Sequence, residues 1–191
     1  DKKSSKKSYA LVLETFVIIG SSILVLVVVA LDVLKVIFIG DPEYWQAMYI
    51  VPIILLANFC LGMYQNLSVW YKVTDMTRFA AYISGVGALI TLLLNIILIP
   101  NYSFLGSAAA TLIAYFTMAL LSYVIGKKYY PIPYDVSKIL FYIVLSISLS
   151  SISFYGFRDN ILVGIACIMV MNLVILFREK RQIIKLFNLI R

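Results

Sequence analysis

Charged residues, cysteine and histidine are all scarce in this chain of 191 residues. Only 13% of the residues are charged, there is no histidine, and the two cysteines lie in separate apolar runs. A zinc centre therefore has no recognisable ligand set, and two isolated cysteines do not form a disulfide framework. The chain also lacks a paired nucleophile and base, a phosphate-binding loop and a dinucleotide fingerprint. We therefore expect no enzyme activity, no metal and no cofactor, with Cys60 and Cys167 as ordinary buried residues.

Apolar residues are abundant instead. They make up 63% of the chain, and the mean hydropathy is +0.99, whereas soluble domains are about 45–50% apolar. A helix that crosses the hydrocarbon core of a bilayer needs about 20 mostly apolar residues. Six runs meet this requirement: 9–39, 44–70, 79–99, 105–125, 136–155 and 161–177. The sequence predicts an all-α fold, a polytopic membrane helix bundle with six transmembrane helices.

Turn-forming and charged residues separate these runs. The predicted breaks are 40–42, 72–78, 100–104, 126–134 and 158–160. If the N-terminus is cytoplasmic, fourteen of the sixteen Lys and Arg residues fall on the cytoplasmic side: Lys2, Lys3, Lys6, Lys7, Lys72, Arg78, Lys127, Lys128, Lys138, Arg178, Lys180, Arg181, Lys185 and Arg191. The outer loops carry Asp41, Glu43 and Asp159 instead. This is the positive-inside pattern, so both termini are predicted to be cytoplasmic.

The formal net charge of +7 has a consequence for partners. Because the basic residues cluster beside the ends of apolar runs, the charge indicates topology and contact with anionic membrane lipids, and we expect no nucleic acid as a partner. Aromatic pairs also bracket the second run, Tyr44-Trp45 at its start and Trp70-Tyr71 at its end. Amphipathic rings favour the headgroup level, so these pairs are expected to lie at the membrane interfaces.

The second run carries a polar stripe. Asn58 and Gln65 recur at helical spacing with Asn66 beside them, and Pro52 is expected to kink the helix before them. Uncharged amides in lipid need hydrogen-bond partners. Two interpretations are open: hydrogen bonds between helices, or a hydrophilic cavity that offers donors and acceptors to a sugar. The second makes all three amides candidate substrate-binding residues.

Charged residues within the first run are further candidates, since burying a charge in a membrane is costly. Glu14 falls near the predicted inner boundary, whereas Asp32 and Lys35 fall near the outer one. Residues three apart on a helix share a face, so Asp32 and Lys35 can form an ion pair. Interfacial anchoring and a role in substrate binding both fit Asp32 and Lys35.

Between residues 92 and 116 an apolar segment containing Asn95 meets a proline and then a run of small residues. Pro100 is expected to end one helix, because it has no N–H and restricts the residue before it. Gly106, Ala110 and Ala114 recur every four residues and would let a neighbouring backbone approach closely. Thr111 lies on an adjacent face, where its hydroxyl can bond the preceding turn or a partner helix.

This segment resembles the signature of bacterial lipid-linked oligosaccharide flippases, the polysaccharide biosynthesis and O-antigen family of the multidrug/oligosaccharidyl-lipid/polysaccharide exporter superfamily. The matching positions are Asn95, Ile99, Pro100, Gly106, Ala108, Ala110 and Thr111, with Ser107 where the family often has alanine. Tyr44, Ala47 and the segment 50–52 upstream, and the segment 130–133 downstream, are also similar. Family members have two lobes of six helices, so the resemblance implies that residues 1–191 form a single lobe, the C-terminal part of a larger transporter.

The resemblance implies transport of an undecaprenyl-diphosphate-linked oligosaccharide across the bacterial inner membrane by alternating access, for polysaccharide or O-antigen biosynthesis. The N-terminal lobe of the same transporter would be the partner that completes the cavity. Two other functions stay open: a cation-coupled drug exporter of the same superfamily, and a structural or accessory membrane subunit of a polysaccharide assembly system.

Overall fold

The computed structural model describes residues 2–39, 45, 48–158 and 160–190. The helices are α1 (Lys2–Phe38), α2 (Val51–Leu67), α3 (Val69–Val73), α4 (Arg78–Tyr129), α5 (Val136–Ser151) and α6 (Ile161–Ile190), with a π-helical turn, Ile152–Gly156, after α5. Within the described ranges there is no strand, and the predicted all-α class is confirmed. The predicted positions Asp41, Glu43, Tyr44, Ala47, Asp159 and Arg191 lie outside the described residues.

Five helical stretches are long and apolar enough to cross a membrane: Ser5–Phe38, Met48–Val73, Arg78–Tyr129, Val136–Gly156 and Ile161–Lys180. The sequence predicted six. The difference arises because α4 runs through both the third and the fourth predicted segments. It is 52 residues long, more than twice what a bilayer requires.

Helix α4 nevertheless folds back on itself at Ser103. This serine has the non-helical dihedral angles φ 50° and ψ −129°, and a positive φ is rare for residues other than glycine. Two arms, 78–102 and 104–129, then run antiparallel. Gly106 lies against Leu98 near the turn and Gly87 against Met118 farther along. At the open end, the Phe79 and Tyr129 rings are 5.2 Å apart.

Two predicted boundaries within α4 are wrong. The helix does not end at Pro100 but continues through it to Ser103. Pro100 lies on the exposed surface in the last turn before the reversal at Ser103, so the helical hydrogen bond that proline cannot donate is lost only near the end of this arm. The predicted break at Gly126 is also helical, and Gly126 lies against the Trp70 ring.

The helices form two groups that meet along α1 and α2. Helix α1 packs against α5 and α6, while α4 packs against α2 and α3. At the junction, the Phe16 ring lies on Gly62 and the Phe59 ring lies on Gly20. The two rings stack with centroids 5.8 Å apart. Each glycine therefore leaves room for an aromatic ring from the opposite helix.

Helix α2 begins and ends differently from the sequence prediction. Pro52 lies in the first turn of α2, where its missing N–H is not needed, so the predicted kink within the helix is absent. The interruption falls instead at Ser68, between α2 and α3. Trp70 is only 1% exposed and Tyr71 is also buried. Both rings lie inside the protein rather than on a surface that could face lipid headgroups.

The close approach at Gly106 leads to a prediction about stability. A methyl group at this position would lie 2.6 Å from the Leu98 carbonyl oxygen, so Gly106→Ala must push the two arms of α4 apart. Such overpacking typically costs about 1–3 kcal/mol. Gly85→Ala is the matched control on the same helix, since nothing lies within 4 Å of the added methyl group. Thermal unfolding of the purified protein should show a lower midpoint for the first variant and an unchanged or higher one for the second; equal midpoints would refute the close packing.

Candidate functional site

The amides of α2 lie on its exposed side. Asn58 and Gln65 are exposed, and Asn66 is half-buried. Asn58 donates its Nδ2 hydrogen to the Ile54 carbonyl at 3.0 Å, and Asn66 does the same to the Gly62 carbonyl at 2.9 Å. These acceptors belong to the preceding turn of the same helix. The interpretation in which the amides bond a neighbouring helix therefore has no support among the described residues.

The exposed side of α2 continues onto α1. The buried residues Met63 and Leu67 of α2 line a groove together with Ile139 of α5, and the buried side of α1 also faces α5. The opposite sides of both helices therefore point away from α5. We call this surface the α1–α2 face. It consists of Val12, Ile19, Ile23, Leu26 and Val33 on α1 and Ile54, Asn58 and Gln65 on α2, all exposed.

The ion pair expected between Asp32 and Lys35 is present at the C-terminal end of α1. The structure adds a residue that the sequence did not single out. Arg158 donates from Nε and Nη2 to the two Asp32 carboxylate oxygens at 3.2 and 3.1 Å, and its guanidinium lies 4.6 Å from the Phe154 ring centroid. The bond to Asp32 raises the pKa of Arg158. Asp32 already has two cationic partners, an arrangement typical of a structural clamp.

A second cluster of charges, which the sequence did not predict, involves the N-terminal half of α1. The Lys138 ammonium lies 3.3 Å from Glu14 Oε2 and 2.7 Å from Glu179 Oε2. Tyr142 donates its hydroxyl hydrogen to the other Glu179 oxygen at 3.0 Å. These groups come from α1, α5 and α6, so one lysine joins three helices. The one signal in the sequence is that Lys138 and Glu179 each lie close to the end of an apolar run.

This cluster is largely shielded from solvent. The side chains are 12% exposed for Lys138, 13% for Glu14 and 7% for Glu179. Two carboxylates share one ammonium, so the cluster carries one negative charge when all three groups are ionised. Removing only one partner of a buried ion pair strongly destabilises a protein, because the other charge stays buried without compensation. The cluster therefore fixes the relative position of the three helices at this end.

The basic residues of the described chain collect at the same end of the bundle as Glu14. Helix directions follow from the Lys138 cluster, from the Phe79–Tyr129 contact and from the Lys6 ammonium, 4.2 Å from the Tyr130 ring centroid. The residues at this end are Lys6, Lys7, Lys72, Arg78, Lys127, Lys128, Lys138, Arg178 and Lys180. The opposite end has Lys35 and Arg158, both bound to Asp32. We call these the Glu14 end and the Asp32 end.

The motif residues of α4 serve its hairpin. Ala110 and Ala114 are fully buried. Of the two partners open to Thr111, the structure shows the preceding turn, with a bond of 2.9 Å from its hydroxyl to the Ser107 carbonyl. The Asn95 Oδ1 atom is buried and accepts no hydrogen bond within the described residues.

In the described part of the chain, no group of three His, Cys, Asp or Glu side chains is placed to hold a metal ion, and Cys60 and Cys167 are free, buried thiols. Compared with known proteins, the chain matches no family model, no curated protein and no solved structure.

The Lys138 cluster provides a test of its structural role. Lys138→Met leaves two buried carboxylates without their common cation, and breaking a buried pair in this way costs about 3–5 kcal/mol. Lys128→Met is the control, because Lys128 is exposed at the end of α4. Denaturation of the purified variants should show a large loss of stability for the first and little change for the second. If both variants unfold with wild-type stability, the cluster does not hold the helices together.

Proposed function

We propose that this chain forms one lobe of a transporter that moves a lipid-linked oligosaccharide across the bacterial inner membrane by alternating access. The observation that carries the proposal is the α1–α2 face, where Asn58 and Gln65 stand exposed among apolar side chains. Amides turned toward lipid leave polar groups unsatisfied, which is costly. The face is better suited to a hydrated space between two lobes, where a glycan supplies hydroxyl partners.

The proposed arrangement in the membrane has six crossings, because each arm of α4 crosses separately. An arm of 26 residues, 104–129, is about 39 Å long at about 1.5 Å per residue, enough for a hydrocarbon core of about 30 Å. The Glu14 end, with its many basic residues, faces the cytoplasm under the positive-inside rule. Both termini would then be cytoplasmic.

The two ion clusters support a rigid-body mechanism. They join α1 to α5 and α6 at the Glu14 end, and α1 to the segment after α5 at the Asp32 end. Movement in alternating access would then take place between this lobe and an N-terminal partner lobe, as one repeat rocks against another. In this proposal Asp32 and Lys35 contribute rigidity, while Asn58 and Gln65 contact the glycan and Asn66 supports them from the next position.

The orientation can be tested with single cysteines in a protein from which Cys60 and Cys167 have been removed. We expect cysteines at Tyr102 and Asn160 to react with a membrane-impermeant maleimide in intact cells. Cysteines at Asp75 and Lys128 should react only after the cells are permeabilised. All four native residues are exposed, so burial does not explain a difference. The opposite labelling pattern would reverse the proposed topology.

The role of the amides can be tested by replacing both Asn58 and Gln65 with leucine. Because neither amide bonds another helix among the described residues, the double variant should keep its expression and unfolding temperature. It should lose glycan export in cells that depend on this protein, because the cavity then offers the sugar fewer hydrogen bonds.

A matched control is Asn101→Leu. Asn101 is also exposed and donates to the carbonyl of the preceding turn, that of Ile97 at 3.1 Å, but it lies at the α4 hairpin. Its replacement should leave export unchanged. Normal export by the double variant, or a loss that only matches a loss of folded protein, would rule out contact between the α1–α2 face and the glycan.

A further inference from the structure

A cavity lined by both polar and apolar groups lies at the Glu14 end, beside the segment that joins α4 to α5. Its volume is about 240 Å³, and its walls include Trp70, Ser122, Lys127 and the segment 130–134. We call it the Tyr134 cavity. Lys127 lies in its wall, and the ammonium of Lys6 lies over the ring of Tyr130. An acidic side chain is not among the described residues that line it.

The hydroxyl of Tyr134 is a free donor at this cavity. Its oxygen is buried and has no hydrogen-bond partner among the described residues. Burial raises the pKa of Tyr134 to about 12, so the hydroxyl keeps its proton at neutral pH. The neighbouring Ser122 hydroxyl is already occupied, since it accepts from Trp70 Nε1 and donates to the Leu67 carbonyl. A buried donor without a partner is unusual and calls for an acceptor.

An apolar groove continues from this cavity. It has a volume of about 130 Å³ and lies between the second arm of α4 and α5, with Phe116, Leu120 and Leu140 among its walls. We call it the Phe116 groove. It shares Tyr134 with the Tyr134 cavity. Phe116, Leu120 and Leu140 are 55%, 50% and 55% exposed, so the groove is open along its side.

The cavity and the groove together suit an amphiphilic ligand. A cation and a free hydroxyl donor suit an anionic oxygen, and the adjoining open groove suits a hydrocarbon chain. Pockets for drug-sized ligands usually measure about 300–1,000 Å³, so a cavity of about 240 Å³ fits a small headgroup rather than an oligosaccharide. No Asp or Glu is among the described residues that line the cavity with Lys127, and Asp135, farther along the chain, caps the start of α5 by accepting from the backbone N–H of Lys138.

We propose that the Tyr134 cavity and the Phe116 groove bind one anionic glycerophospholipid of the cytoplasmic leaflet. Its phosphate accepts from Tyr134 and pairs with Lys127, and an acyl chain lies in the groove. The inference rests on the proposed membrane orientation, which places the Glu14 end in that leaflet. It does not depend on which substrate is transported. The bound lipid would fill the seam between α4 and α5 and support the junction of the two helix groups.

Native mass spectrometry of the purified protein, titrated with phosphatidylglycerol or phosphatidylcholine, tests the site. Wild type should bind phosphatidylglycerol more tightly. Lys127→Gln should weaken this binding about fivefold, the contribution expected for one basic residue at a membrane surface, and Tyr134→Phe should weaken it as well. Lys128→Gln is the control, because Lys128 is exposed beside its neighbour Tyr129 and does not line the cavity. Leu120→Trp, which fills the groove, should weaken binding without changing any charge.

Three outcomes would overturn the proposal. Equal weakening by Lys127→Gln and Lys128→Gln would show only a general attraction of the basic end for anionic lipid. Binding that resists Tyr134→Phe and Leu120→Trp would place the lipid elsewhere. If a polyprenyl diphosphate displaces phosphatidylglycerol from the wild type but not from Lys127→Gln, the cavity would be assigned to a transported lipid instead. Site-specific phosphatidylglycerol binding by a protein that exports no glycan would retain the lipid site and reject the transport function.

Discussion

Two glycines and two phenylalanines hold the halves of this structure together. Gly20 lies against the ring of Phe59, Gly62 lies against the ring of Phe16, and the rings stack on each other. Along this contact the group formed by α1, α5 and α6 meets the group formed by α2, α3 and α4. The positions of the α1–α2 face on one side, and of the Phe116 groove on the other, both follow from it. A side chain on either glycine would change the spacing of everything that the two groups share.

The two groups are stabilised in different ways. The first is joined by ions: Lys138 bridges α1 and α6 at one end, and Arg158 reaches Asp32 at the other. The second is joined by close packing, with Gly106, Gly87 and Gly126 each in contact with a neighbouring side chain or backbone. The Lys138 ion pairs are little exposed, so removing one partner is costly, whereas glycine contacts depend on volume. The α1–α2 face lies where the two groups meet. Asn58 and Gln65 take part neither in these ion pairs nor in these glycine contacts.

The sequence predicts the helical class, the apolar segments and the Asp32–Lys35 pair because these depend on composition and on local spacing. The predictions at Pro52 and Pro100 are wrong because the effect of proline depends on its position within a helix. Pro52 lies in the first turn of α2, and Pro100 lies in the last turn before Ser103. Arg158 and Glu179 could not be assigned from spacing, since their partners lie 126 and 41 residues away in the chain. The turn at Ser103 was also inaccessible, because serine gives no signal for a positive φ. The periodicity of the sequence identifies the candidate amides. It does not show that Asn58 and Asn66 bond the preceding turn of their own helix, because that depends on how the helices pack.

The separation of Asp32 from Arg158 has a consequence for biosynthesis. At a synthesis rate of about 5–20 residues per second, the 126 residues between them take roughly 6–25 s to appear. During that interval Asp32 has been made, within an apolar segment, but its guanidinium partner does not yet exist. Lys35, one turn away, is made almost at the same moment and can neutralise the carboxylate from the start. The local ion pair is thus the temporary partner of the nascent helix, and the distant one completes the site when the chain is nearly finished.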